Sequence, residues 1–256
     1  MIATKKYTSD LTERRDQILE LGRECGLPIL YICLPAELDI MLHDLSAGFY
    51  SPALSALVQK SAPQMWRGDG PGFVVGMPQT DTPESATEVF SAICCHELAH
   101  LVDDITRSEY RKHTPAEGET LLKVDFKEDS PIVDSRISPP WLAHEWRFVR
   151  ALLHCQRRFV LADIELPVDE SIVFAHEFYG LSRLEQFREC LRPELDERQD
   201  EPLPDAMRGY PPAAFMNRFA DDVERWQALH ILESRVLPAA FLSFDHSSEE
   251  PLAPNM

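Results

Sequence analysis

The chain has 256 residues, 44% of them hydrophobic and 27% charged, enough for a full hydrophobic core in one domain. Its 43 acidic residues against 25 basic ones leave a formal charge of -18, which excludes nucleic acid as a partner neutralised over a broad surface and disfavours an anionic membrane. No apolar run reaches transmembrane length and no secretory h-region follows Met1, so the expected location is cytoplasmic.

Leu11, Ile18, Leu21 and Cys25 recur at helical spacing behind Ser9, and Gly26-Leu27-Pro28 ends that first amphipathic helix. Residues 29–34 (ILYICL) form a short apolar run bounded by prolines, which on length predicts a buried strand. Helical pieces are expected at about 36–46 and 51–60, the second opened by Ser51-Pro52. Glycine-bracketed Phe73-Val74-Val75 reads as a second strand, proposed as an edge able to pair with an extended substrate. Thr82-Pro83-Glu84 supplies a cap, a proline at the first helical position and an early acid, opening a helix over 83–106.

Residues 107–137 are polar and irregular, a candidate lid or specificity loop, before Ser138-Pro139-Pro140 opens a helix to about Arg158. Pro193 to Pro212 holds five prolines and six acids and is expected to be an exposed loop. Beyond it Met216, Phe219, Val223, Trp226 and His230 form the seam of a long helix. The expectation is a single domain over 1–245 and a disordered tail over 246–256. The six cysteines show no C-x-x-C pair and read as reduced and mostly buried.

The chemistry concentrates in residues 95–101, Cys-His-Glu-Leu-Ala-His-Leu. His96 and His100, four apart on one helical face, can both reach one Zn²⁺, while Glu97 stands one position off that face as a general base for a water. A chance H-E-x-x-H is expected in about 3 of 100 chains of this composition, and the apolar flanks Val89, Phe90, Ile93 and Leu101 make a purely surface helix a poor explanation. Asp103 and Asp104 follow near the helix end. Either could accept the second ring N–H of a ligating histidine, or form a solvated acidic turn paired with Arg107.

A catalytic zinc needs a third protein ligand. The metzincin continuation is excluded, because its glycine and final ligand positions hold Asp103 and Thr106. His144 is the favoured candidate, with Trp141, Phe148, Leu152 and Cys155 packing the same side of its helix. Glu145, about 100° away on the same helix, is the alternative, and His176 or Glu177 a poorer one. Arg147, Arg150, Arg157 and Arg158 against Glu145 make residues 139–160 locally positive by +3. Arg147 or Arg150 could meet a substrate carboxylate or an oxyanion, though salt bridges to the surplus acids are the ordinary reading. Tyr179 and Tyr210 are candidate transition-state donors.

His96-Glu97-Leu98-Ala99-His100 followed by His144-Glu145-Trp146-Arg147-Phe148 resembles the SprT-like zinc metallopeptidases, in which H-E-x-x-H is followed by H-G-x-x-F/W on the next helix. The resemblance spans residues 83–158. It implies an α+β, mostly helical zincin-like domain with a small sheet, one Zn²⁺ per chain on His96, His100 and His144, and Glu97 as base. Glu145 stands where glycine is usual, the connector is longer, and no cysteine-rich ribbon follows. Action at DNA–protein crosslinks is therefore not implied. The expected function is a zinc metallopeptidase acting on a peptide or protein. The alternatives are a non-catalytic zinc-binding sensor or protein-interaction domain on the same fold, and a helical interaction module with a chance motif.

Overall fold

The computed structural model describes residues 2–27, 29–38, 48–51, 54–76, 82–113, 145–167 and 181–236. Among them the protein is mostly helical with one small sheet, an α+β architecture. The expected tail, and the residues around His43, His144, His176 and Tyr179, lie outside the described residues.

Helix α1 spans Ile2–Glu24 and buries Leu11, Ile18 and Leu21. It ends in a Schellman motif. Gly26 takes φ +86°, its N–H reaches Arg23 O at 3.1 Å, and Leu27 N–H reaches Gly22 O at 2.9 Å. A Cβ at Gly26 would lie 2.8 Å from Pro202 Cβ, so both the backbone angle and the close approach of a distant segment require glycine there.

Three strands follow: β1 (Tyr31–Cys33), β2 (Gly48–Ser51) and β3 (Gly72–Val75), in the order β1-β3-β2. β1 pairs with β3 in parallel, Ile32 opposite Phe73, and β2 pairs with β3 antiparallel, Tyr50 opposite Phe73. The expected substrate-pairing edge is thus corrected: β3 is the central strand, with both sides of its ladder already taken. Its unbroken apolar run has a two-faced burial as its cause. Ile32, Phe73 and Val75 join the main core, whereas Tyr31, Cys33 and Val74 point the other way, onto Leu54 and Val58 of α2 (Leu54–Ser61). The helix expected to open at Ser51 starts later, because Ser51 is the last residue of β2.

Helix α3 (Pro83–His113) is the central element, packed on α1, β2, β3 and α4 (Trp146–Leu161). Thr82 caps it: Ser85 N–H donates to Thr82 Oγ1 at 3.1 Å, and Ala86 N–H makes the first helical bond to Thr82 O. Phe90, Ile93, Cys94, Cys95, Leu98, Ala99, Leu101 and Val102 are all buried, so the helix is apolar nearly all round. Helix α4 starts at Trp146 rather than near Pro139. Glu145 is its N-cap with extended backbone, φ -64° and ψ 172°.

Helix α5 (Leu181–Glu197), α6 (Leu203–Ala206) and α7 (Ala213–Val236) complete the described chain. The exposed loop expected over 193–212 is corrected. α5 runs through Pro193 because Leu184, Phe187, Leu191 and Leu195 keep a buried helical stripe on both sides of it. Leu203 and Met207 then enter the main core, and Leu203 N–H bonds Cys25 O at 2.8 Å. Phe215 and Phe219 of α7 pack their rings on Phe187, at 5.5 and 6.3 Å between centroids.

All six cysteines are free, and every one except half-buried Cys190 is buried. No helix among the described residues is long and apolar enough to cross a membrane.

Candidate metal centre

The middle of α3 places His96 and His100 one turn apart, with Nε2 to Nε2 at 3.2 Å. Their ring centroids stand 4.9 Å apart and the planes meet at 71°, so the two nitrogens converge while the rings splay. Phe148 of α4 closes the far side: its ring lies 4.9 Å from His96 and 4.3 Å from His100, centroid to centroid, and the residue is fully buried. His96 and Glu97 are buried too, and His100 is half-buried.

Two arrangements produce such a separation. One neutral ring can donate an N–H to the other, or both nitrogens can face one cation. Imidazole nitrogens at about 2.0–2.1 Å from a tetrahedral Zn²⁺ lie about 3.3 Å from each other, so the pair fits that ion with little adjustment. Ligation needs neutral imidazole, and the site favours it. Burial first, then the neighbouring His96 and Arg107, push the His100 pKa down to about 3.

No group of three His, Cys, Asp or Glu side chains able to hold a metal occurs among the described residues. Glu145 is described, and its Oε2 accepts a hydrogen bond from Arg147 Nη2 at 2.8 Å. The helical-wheel separation of positions 144 and 145 does not apply, since Glu145 is extended and α4 begins after it. His144, the preferred third ligand, lies outside the described residues, as do His176 and Glu177.

Asp103 sits on the same face of α3 as the histidines, but its carboxylate is spent on arginines. Oδ2 accepts from Arg107 Nη2 at 2.7 Å, and Oδ1 stands 3.4 Å from Arg147 Nε, an ion pair without an aligned hydrogen bond. The pairing with Arg107 therefore holds for Asp103, but with the carboxylate buried instead of solvated, the Arg107 side chain partly exposed, and a second contact crossing to α4. Asp104 is exposed. In return, the Asp103 hydrogen bond holds the Arg107 guanidinium charged, above its ordinary range.

No protein-family model matches the chain, and no curated protein or solved structure matches it significantly.

The other arginines of α4 are structural. Arg150 is 1% exposed; its Nε donates to Glu194 Oε1 at 2.7 Å, and Nη1 donates to Met207 O and Gly209 O at 3.0 and 2.9 Å. It thereby caps the C-terminal end of α6 from inside the core. His154 Nε2 shares the same Glu194 oxygen at 2.8 Å. Burial alone would raise the Glu194 pKa, but the bonds from His154 and Arg150 overcome it and hold the carboxylate ionised. Arg158 donates to Arg198 O and Glu201 O, and Arg157 to Asp196 and Gln199. Tyr210 is 61% exposed on the segment that Arg150 holds.

Sequence reasoning did not assign Phe148 the role of ring wall for both histidines. The signal was present in its spacing from Leu152 and Cys155, four and seven residues on, which puts it on the buried face of α4.

Proposed function

We propose that the protein is a zinc-dependent metallopeptidase on a zincin-like fold, with one Zn²⁺ per chain held by His96, His100 and His144 and a peptide or protein as substrate. The observation that carries this reading is the convergence of His96 Nε2 and His100 Nε2 to 3.2 Å on a buried helix, with Glu97 between them in sequence. When bound, Zn²⁺ supplies a Lewis acid that makes a water nucleophilic near neutral pH and polarises a carbonyl.

The chain's own groups do the rest. His96 and His100 present ring nitrogens from one rigid turn, and Phe148 keeps water off their outer faces. Glu97 accepts a proton from the attacking water and returns it to the leaving amine. Glu97 is itself buried on the helix that carries the two histidines.

Metal analysis and a peptide-library assay test the reading together. The expected result is about one zinc per chain, lost in His96→Ala and His100→Ala, with Glu97→Gln keeping the metal and losing hydrolysis. A folded wild type that takes up no zinc overturns the proposal. A zinc-loaded wild type that cleaves nothing moves the assignment to a non-catalytic zinc-binding domain.

A further inference from the structure

We infer that Arg147 anchors a carboxylate of the substrate beside the histidine pair, so that the site selects peptides with an acidic group close to the bond cleaved. This rests on the metallopeptidase reading above.

Arg147 is held on two edges of its guanidinium. Nε stands 3.4 Å from Asp103 Oδ1, and Nη2 donates to Glu145 Oε2 at 2.8 Å. The plane is further fixed by its own neighbour, with the guanidinium carbon 5.4 Å from the Trp146 ring centroid. The third edge, Nη1, has no partner among the described residues, and the side chain keeps 21% of its surface exposed. A guanidinium oriented by two acids with one amino group left open is a preorganised anion contact, because little side-chain freedom remains to be lost on binding.

Its place ties it to the histidines. Asp103 lies three residues beyond His100 on α3, about one turn away, and Phe148, next in sequence to Arg147, packs on both imidazole rings. Arg107 and Arg147 balance the charges of Asp103 and Glu145, with Asp104 also acting on Arg107. An incoming carboxylate therefore meets less net negative charge there than over most of a chain of charge -18. Arg150 and Arg158 point elsewhere, into Glu194 and buried carbonyls, and cannot substitute.

Co²⁺-loaded protein gives a readout independent of turnover. ω-Mercaptoalkanoic acids of increasing chain length are titrated in parallel with their amides, following the thiolate-to-cobalt absorption band. At the best chain length the acid should bind about 10-fold tighter than its amide. Arg147→Gln should erase that preference and leave the cobalt spectrum of the unliganded protein unchanged, and Arg147→Lys should restore part of it. Equal binding of acid and amide to wild type, or a preference that survives in Arg147→Gln, overturns the inference. Failure of the wild type to take up Co²⁺ would instead remove the metallopeptidase reading beneath it.

Discussion

Phe148 lies 4.3 Å, ring centroid to ring centroid, from His100, and the same ring reaches His96 at 4.9 Å. One side chain from α4 thus sets the rotamers of both candidate ligands on α3. Phe148→Ala should cost about 3–5 kcal/mol in stability, since it empties a fully buried ring position. It should also weaken zinc affinity, whereas Phe148→Trp, which keeps an aromatic face, should be milder on the metal. Urea denaturation with a competitive zinc titration checks both.

The third ligand is tested by a pair of variants. His144→Ala should weaken zinc binding by at least about 100-fold, while Glu145→Gln, whose wild-type carboxylate is engaged by Arg147, should leave it within a few-fold. Normal zinc affinity in His144→Ala would reassign the ligand.

The depressed His100 pKa has a stability consequence in the metal-free protein. Folded His100 stays neutral down to about 3, but in the unfolded chain it takes up a proton near 6.5. Between those values the unfolded state binds more protons, so stability is full above about 6.5 and falls as the pH drops toward 3. His100→Phe should flatten that slope in a series of denaturant midpoints taken from pH 7 to pH 4. An unchanged slope would mean that His100 does not contribute.

Arg150 should behave as a structural residue. Arg150→Ala leaves Glu194 and the Met207 and Gly209 carbonyls without their donor, and should cost about 3–5 kcal/mol. Arg150→Lys should rescue little, because one ammonium cannot span the carboxylate and both carbonyls. Where the variant remains folded, its zinc content should match wild type.

The sequence made the local features readable and left the nonlocal ones hidden. The Thr82-Pro83 cap, the helical face of His96 and His100, and the apolar runs of β1 and β3 rest on neighbours within a few residues, and the structure keeps them. That β3 is central depends on β2, whose four residues Gly48–Ser51 hold only the Phe49-Tyr50 pair, too short a run to read as a strand from sequence. Pro193 reads as a breaker in the sequence, yet the Leu191–Leu195 spacing continues across it and the helix persists, because tertiary burial outweighs a proline's local cost. Arg150 does pair with an acid, as the ordinary reading expects, but which acid and which carbonyls is hidden, because its partners lie 44 to 59 residues away, beyond any window of sequence. The third metal ligand depends on where the residues before Glu145 return, and position 144 lies outside the described residues.

Cys94 and Cys95 immediately precede His96, and burial raises both thiols well above the ordinary range, as it does Cys155; Cys25 is pushed up to about 11 and Cys33 to about 12. A thiol-directed reagent at neutral pH is therefore blind to these sulfurs while the protein is closed. Their labelling times the opening of the helix that carries the histidine pair, residue by residue in a mass spectrum. A metal that locks α3 should slow Cys94 and Cys95 while half-buried Cys190 reacts at its own pace, so the chain contains both the probe and its internal standard.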